Sequence, residues 1–323
     1  MNLEPLAERL GQIEGATAEL SMDAAALCTY RVGGPLGVFV RVDAVKAIAE
    51  VVQVISEADV PTLAVGKGSN LLVADAGFDG VAVMLGDEFS DVSFDGASLY
   101  AGAAAALPVV ARATVANGLT GFEWAVGVPG SIGGAVRMNA GGHGSDMAAS
   151  LTKVEIANLS TGMVSDVGVD GLDLSYRRSN LGPEQIVTQA TLILELVDDT
   201  KPGTSELKEI VSWRRANQPG GANAGSVFTN PPGDSAGRLI DVAGLKGLRI
   251  GSATVSDKHA NFIQADPGGS ADDVMALMVE IVDRISESFG VALHAETRLV
   301  GFDHKLTDHV QPGAKSRGDL EDV

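Results

Sequence analysis

Between Gly127 and Gly144 the chain reads GVPGSIGGAVRMNAGGHG, with seven glycines in one stretch. Glycine has no Cβ and takes positive φ at little cost, so successive N–H groups can turn inward and a ligand can approach the main chain closely. Taken alone, such a run is equally a permissive surface loop. Its surroundings argue otherwise: Phe122, Trp124, Val126 and Val128 precede or enter it, and Ile132, Val136 and Met138 are interleaved. The segment is therefore expected to pack into a core while offering bare backbone to the phosphates of a cofactor.

A chain of 323 residues is long for one hydrophobic core, and two lobes are the better expectation. Its 45% apolar content and mean hydropathy of +0.18 mark a core-forming sequence. The formal net charge of −19 disfavours general binding to nucleic acid or to an anionic membrane. Any anionic ligand must then meet a locally basic pocket. No apolar run reaches the length of about 18 residues that a membrane span needs. The start, MNLEPLAERLGQIEG, carries acids where a signal peptide needs a basic and then an apolar segment, so a cytoplasmic location is expected. The single cysteine, Cys28, excludes an internal disulfide and a Cys-rich zinc site, and reads as a buried core residue. The five histidines show neither HExxH nor an i, i+4 pair, so no protein metal site is expected. Walker A is absent. Gly66-Lys67-Gly68-Ser69-Asn70-Leu71 comes nearest to GxGxxG but lacks its third glycine.

Periodicity predicts a helix over residues 44–58 with Val45, Ile48, Val52 and Ile55 on one face, ended by Pro61. Thr62–Val65 reads as a strand that delivers the tight GKGSN loop, and Leu71–Val73 continues beyond it. Strand, glycine loop, strand differs from the strand, loop, helix of a dinucleotide fold. Short strands separated by Asp/Gly turns follow to Gly102, then a helix from Leu107 to Asn117. KVEIANL, GMVSDVG and IVTQATLILEL read as strands of one antiparallel region. Pro202-Gly203 marks a lobe boundary, and a helix follows from Ser205 to Asn217. A further helix runs from Ser235 to Ala243, capped by Asp234 and closed by Gly244. The clearest helix spans Ala271 to Phe289, with Ser270 as N-cap, Asp273 as in a capping box, and Gly290 at its end. Its stripe of Val274, Leu277, Met278, Ile281, Val282 and Ile285 is core. From His304 onward the chain is polar and aperiodic, and disorder is expected.

Three further segments place polar groups where an ordered strand or turn is expected. Ser175-Tyr176-Arg177-Arg178-Ser179 holds a basic pair. Gly225-Ser226-Val227-Phe228-Thr229-Asn230-Pro231 puts Ser226, Phe228 and Asn230 on one face if it alternates. Leu293 to Leu299 sets His294, Glu296 and Arg298 opposite Leu293, Thr297 and Leu299. Singly, each also reads as an exposed arginine pair, a turn serine or a solvated strand face.

Together with Thr29-Tyr30-Arg31-Val32-Gly33-Gly34-Pro35, the GKGSN loop, the glycine block and Lys258-His259-Ala260-Asn261-Phe262, these segments resemble the UDP-N-acetylenolpyruvoylglucosamine reductase family of flavoenzymes, in the family's order and over all but the two ends. The resemblance implies an α+β protein: a two-lobed FAD-binding domain of the vanillyl-alcohol-oxidase type followed by an α+β substrate-binding domain. Implied bounds are an N-terminal segment over 1–20, the FAD domain over 21–202, the substrate domain over 203–302, and a disordered tail over 303–323.

By the same resemblance, FAD is tightly bound and NADPH is the hydride-donating co-substrate. The UDP-sugar substrate carries an enolpyruvyl group, whose reduction makes UDP-N-acetylmuramate for peptidoglycan. Arg177, Ser226 and Glu296 match the catalytic positions. Charge developing on the enolpyruvyl carboxylate needs a fixed cation, supplied by Arg177 with help from Glu296, and the other alkene carbon needs a proton from Ser226. Gly66, Lys67, Gly68, Ser69, Asn70, Leu71, Gly127, Pro129, Gly130, Ser131, Gly133, Gly134, Asn139, Gly141 and Arg298 match cofactor positions; Tyr176, Arg214, Asn230 and Asn261 match substrate positions. Arg31 is open between a loop brace and a direct ligand. One branch of the family has an insertion with a tyrosine that closes over the substrate diphosphate. Here residues 180–224 contain no tyrosine, and the chain reads as the compact branch. Ala216-Asn217 stands where the family has a charged position. An FAD-dependent sugar or alcohol oxidase of the same fold is the alternative enzyme.

Overall fold

A computed structural model describes residues 2–312 of the chain. Its residues form two compact units. One takes residues up to Met22, Leu36–Gly68 and Asp79–Asn217; the other takes Asp23–Pro35, Ser69–Phe78 and the residues from Gln218 on.

The first unit is built on two sheets with separate cores. A four-stranded sheet runs in the order Ala16–Asp23, Pro35–Val42, Phe78–Leu85, Thr62–Val65, the last pair parallel with Thr62 opposite Val81. Val38, Val40, Val81 and Val83 from this sheet pack with Ile48, Val51, Val52 and Ile55 of the helix Ile48–Ser56 and with Leu10 of the helix Glu4–Gly11. The apolar face falls one turn later than expected: Val45 lies in a preceding 3-10 turn and is exposed, while Val51 is buried.

An antiparallel five-stranded sheet forms the other core, ordered Met163–Gly168, Leu151–Asn158, Gln185–Ile193, Ser98–Gly102, Val92–Asp95. Val154, Val187 and Leu192 from its inner face meet Val110 of the helix Leu107–Ala116 and Phe122, Trp124, Ile132 and Val136 around the glycine block. The block is thus packed, as its interleaved apolar residues indicate.

Pro202-Gly203 does not mark a break. Both residues lie in the first turn of a helix, Lys201–Asn217, where proline's missing N–H costs nothing. Leu207 and Ile210 bury this helix in the first unit, so the division between units falls at Gln218.

The second unit gathers three separate stretches of chain. Its core is the helix Ala271–Phe289, whose whole expected stripe is buried, with Tyr30, Val32, Leu72, Phe228, Leu239, Ile240 and Val255. Each large apolar side chain buried along this helix contributes roughly 1.5–3 kcal/mol. Ser270 accepts from Asp273 N, and Gly290 ends the helix at φ 65°. The capping box is half made: the Asp273 carboxylate accepts from Ser252 N and Oγ at 2.7 and 2.8 Å instead of turning back. At the helix Ala236–Val242 the cap is Ser235, because Asp234 is engaged by Arg238. A three-stranded antiparallel sheet and a parallel pair, Arg298–Val300 with Leu71–Val73, complete the unit.

The expected disorder from His304 is corrected over its first part. His304–Val310 is a helix with Val310 fully buried and Leu306 exposed, so one buried apolar residue docks it on the second core. Residues 313–323, the rest of that expectation, lie outside the described residues.

Candidate active site

The strand Thr62–Val65 ends at Gly66, and the loop that follows is short of internal hydrogen bonds. Among the described residues, the amides of Gly66, Lys67, Ser69 and Asn70 donate to no protein acceptor, and the same holds for Gly130 and Ser131 in the glycine block. Backbone N–H groups are obligatory donors, so such a set is suited to a ligand's oxygens. A Cβ on Gly66 would lie 3.0 Å from Ser131 Oγ, so in the first unit the two loops face each other across the Ser131 side chain. Gly68 sits at φ 61°, a conformation that few side chains tolerate. Open amides on touching glycine loops fit the pyrophosphate of a dinucleotide.

Other glycines of the block serve packing. A Cβ on Gly127 would lie 2.9 Å from Ile210 Cγ2, and one on Gly133 would lie 2.9 Å from Ala103 Cβ. Gly133 also donates its N–H to Ala103 at 2.9 Å. Gly141 lies in a hairpin, 2.5 Å between an added Cβ and Ser145 O. Gly134 N points at Ser131 Oγ, the cap of the helix Ile132–Arg137. Pro129 has no N–H to give, and Leu71 is in the ladder with Arg298. Asn139 is a structural pin: buried, it donates from Nδ2 to Asp146 at 3.1 Å and Ser175 O at 3.0 Å, and accepts from Ala148 N at 2.9 Å. Its side chain is spent on ordering the loop that carries Arg177.

In that loop Ser175 and Arg178 exchange backbone hydrogen bonds at 3.0 and 3.1 Å, and Arg177 is held at φ 57°. Positive φ on a long side chain costs energy that the surroundings must supply, and it recurs at functional sites. Arg177 Nη2 donates to Gly141 O at 2.8 Å, and its guanidinium lies 5.3 Å from the centre of the Tyr176 ring. Tyr176 is largely exposed. On the helix Lys201–Asn217, Arg214 is half-buried, and burial holds its guanidinium below the ordinary arginine range. Glu123, a residue that the sequence analysis does not single out, is buried. Its carboxylate accepts from Thr120 Oγ1 and Gly121 N, both at 2.7 Å, and so shapes the turn ahead of the glycine block. A cavity of about 540 Å³ lined by His143, Glu206, Glu209, Ile210 and Trp213 contains none of the expected site residues. Its acids, with Glu206 pushed up by burial and then by Glu123 and Glu209, repel phosphate.

In the second unit, Val227–Thr229 runs antiparallel to His294–Glu296. Glu296 N donates to Val227 O at 2.7 Å and Thr229 N to His294 O at 2.9 Å. The residues preceding these contacts, Ser226, and following them, Arg298, therefore lie on neighbouring segments. Burial follows the expected alternation on one side: Leu293, Ala295, Thr297 and Leu299 are buried, while His294, Glu296 and Arg298 are less so. Arg298 lies low enough for burial to pull down its guanidinium. On the other side the alternation fails, since Val227 and Phe228 are both buried and Asn230 is exposed. The cause is Asn261, which is buried and takes the place of a strand neighbour. It accepts from Phe228 N at 3.0 Å through Oδ1, donates to Phe228 O at 2.8 Å through Nδ2, and accepts from Val227 N at 2.9 Å through its carbonyl. Its side-chain amide is engaged on both its oxygen and its nitrogen by the Phe228 backbone. Asn230 Oδ1 accepts from Ala236 N at 3.1 Å. Asn70 Nδ2 donates to Glu296 O at 3.0 Å, and its carbonyl accepts from Arg298 N at 3.0 Å. Arg31 is exposed, at φ 58°, on a turn whose Gly33 and Gly34 lie against the backbone of Val73 and Asp75. Among the described residues no cluster of acids, histidines or cysteine could hold a metal, and no helix is long and apolar enough to cross a membrane.

Residues 36–168 match the family model of an FAD binding domain. Together with the open amides of the glycine loops, that match defines the class: a flavoprotein whose two-lobed FAD-binding domain is joined to an α+β domain. Residues 217–300 match the model of the UDP-N-acetylenolpyruvoylglucosamine reductase C-terminal domain. The reductase of Rubrobacter xylanophilus is 38% identical over 274 residues, 84% of this chain and 91% of that protein. That of Heliobacterium modesticaldum is 40% identical over 275 residues, covering 84% and 87%. The crystal structure of the reductase from Thermus caldophilus superposes with a TM-score of 0.74 at 34% identity, covering 88% of this chain and 98% of that one. The chain belongs to the UDP-N-acetylenolpyruvoylglucosamine reductase family.

Proposed function

We propose that the protein is an FAD- and NADPH-dependent reductase that converts UDP-N-acetylglucosamine enolpyruvate to UDP-N-acetylmuramate. Hydride and a proton add across the enolpyruvyl alkene, and NADPH leaves as NADP⁺. When bound, FAD supplies the hydride relay between the two substrates. The amides of Gly66, Lys67, Ser69, Asn70, Gly130 and Ser131 would hold its phosphates.

The remaining chemistry falls to side chains. Hydride addition leaves negative charge spread toward the substrate carboxylate, and a cation oriented before the reaction stabilises it without reorganising. Arg177 is such a cation, its side chain steered by Gly141 O. Glu296 polarises the enolpyruvyl group, and Ser226 protonates the alkene carbon, a role that needs close placement and little water. Tyr176 and Arg214 remain the substrate contacts of this reading, and Arg298 follows Glu296 by two residues, at the start of the strand Arg298–Val300. Asn230 and Asn261 act through the backbone they hold. The protein works as a small-molecule enzyme in the cytoplasm, with closure over the diphosphate achieved without a tyrosine loop.

The observation that carries the proposal is the hydrogen bond from Glu296 N to Val227 O, which ties the acid to the residue adjoining Ser226. The test is an assay of the purified, FAD-loaded protein. NADPH is expected to be oxidised rapidly only when the enolpyruvyl UDP-sugar is present. Turnover of a sugar or alcohol with oxygen, and none with the enolpyruvyl substrate, would replace this reading with the oxidase.

A further inference from the structure

Two successive peptides, those of Ala295 and Glu296, have every polar backbone group engaged, each by a different residue. Glu296 N–H goes to Val227 O and its carbonyl accepts from Asn70 Nδ2. The other pair of contacts comes from the C-terminal end of the chain. Ala295 donates its N–H to Val310 O at 2.7 Å, and Gln311 Nε2 donates to Ala295 O at 2.9 Å. Both partners lie at the end of the helix His304–Val310, beyond residue 300, where the matched reductase domain stops. This end is anchored on its own account. Val310 is fully buried in the second core, and His309 Nε2 meets Asp283 Oδ1 of the helix Ala271–Phe289 at 2.7 Å.

We propose that Val310 and Gln311 form a clasp that positions Glu296, with Gln311 as the positioning residue. The proposal rests on the reading of Glu296 as an acid that acts on the substrate. A carboxyl group is placed by its rotamer and by the peptide from which it hangs. The Ala295–Glu296 peptide is held on both edges, its N–H by Val227 O and its carbonyl by Gln311 Nε2, and losing the second leaves it pinned at one point only. Small displacements of a catalytic group cost much of its effect, so such a clasp is worth more to the reaction than to stability. Gln311 is half-buried and belongs to no core, so replacing it leaves the fold in place.

The experiment uses the full-length, FAD-loaded protein and the variants Gln311→Met, Glu296→Gln and their combination. Stopped-flow separates flavin reduction by NADPH from flavin reoxidation by the enolpyruvyl substrate. Gln311→Met is expected to slow reoxidation about three- to tenfold, the kinetic worth of one hydrogen bond, and to leave reduction unchanged. In the Glu296→Gln background it adds nothing, because both act through one group. Hydrogen exchange, read without substrate, is expected to speed up in the peptide around Ala295 and nowhere else. Slowing of both half-reactions alike, additive losses, or unchanged rates beside a crippled Glu296→Gln overturn the clasp alone. Full reoxidation by Glu296→Gln overturns the clasp together with the reading on which it rests.

Discussion

The glycine loops of the first unit and the Glu296 strand of the second prepare polar groups for a ligand by opposite means. At Gly66, Lys67, Gly130 and Ser131 the chain leaves amides without protein partners, so binding capacity resides in what the backbone does not do. At Ala295–Glu296 every backbone group is engaged, and on the proposed function the capacity resides in the one side chain that this backbone carries. An anion of fixed shape needs only donors at the right curvature, which a local motif supplies. An acid or proton donor must be aimed at one atom, and that takes contacts from distant stretches of chain.

The sharpest way to break this contrast is Ser226→Ala. If the second unit carries the chemistry, reoxidation by the enolpyruvyl sugar falls about 10²–10⁴-fold, as for loss of a general acid, while flavin reduction by NADPH stays near its original rate. Equal losses in the two half-reactions in stopped-flow would remove Ser226 from the proton-donor role.

Next in size is Asn261→Ala, which leaves the N–H and C=O of Phe228 buried without partners. Unfolding in urea is expected to show a loss of roughly 3 kcal/mol, the sum of two unsatisfied groups. A loss near zero, with weakened substrate binding instead, would return Asn261 to the ligand-contacting set.

Two glycine variants then separate packing from cradle. Gly133→Ala puts a methyl group 2.9 Å from Ala103 Cβ and is expected to destabilise the protein by about 1–3 kcal/mol. Gly66→Ala meets only the movable Ser131 hydroxyl, and is expected to weaken FAD binding about tenfold, about 1.4 kcal/mol, with stability nearly unchanged. Fluorescence titration of the apoprotein with FAD alongside thermal melting reads both, and the reverse pattern would exchange the two roles.

The smallest expected effect is a pH dependence at His259. Burial, and then the nearby Lys246 charge, hold its imidazole below the ordinary value, and its Nδ1 accepts from Asn261 N at 3.2 Å. The folded protein therefore prefers the neutral ring, while the unfolded chain takes up a proton from about pH 6.5 downward. Stability is expected to fall as pH drops from about 6.5 to the lower folded value, then to fall no further on this account. Urea midpoints at several pH values check this, and His259→Gln should flatten that part of the curve.

Much of the fold was legible in the residues. The helix Ala271–Phe289 was readable to its ends because its cap, stripe and terminal glycine agree, and the three long strands of the five-stranded sheet were readable from their β-branched runs. The helix His304–Val310 was not, because its one anchoring residue, Val310, leaves no periodicity to read. Pro202-Gly203 misled in the other direction: residues that usually interrupt helices are harmless in a first turn. At the site, the sequence proposes Gly66, Gly130 and Ser131 as backbone donors, and their amides have no protein acceptor among the described residues. Asn139 and Asn261 were read as ligand contacts and turned out to hold loops, since an asparagine's pattern in sequence is the same whether its amide faces a substrate or a peptide.

By itself the sequence determined the local devices: where backbone is bare, where helices are capped, which faces are apolar, and, through the joint occurrence of its motifs, the family. These follow from near neighbours along the chain, whose geometry is set by covalent structure and a few dihedral angles. Only the tertiary structure decided which polar groups are already satisfied and which remain for a ligand. That is a question of who stands opposite whom across hundreds of residues, as Asn70 and Gln311 do on either side of the Glu296 backbone, and no local pattern records it.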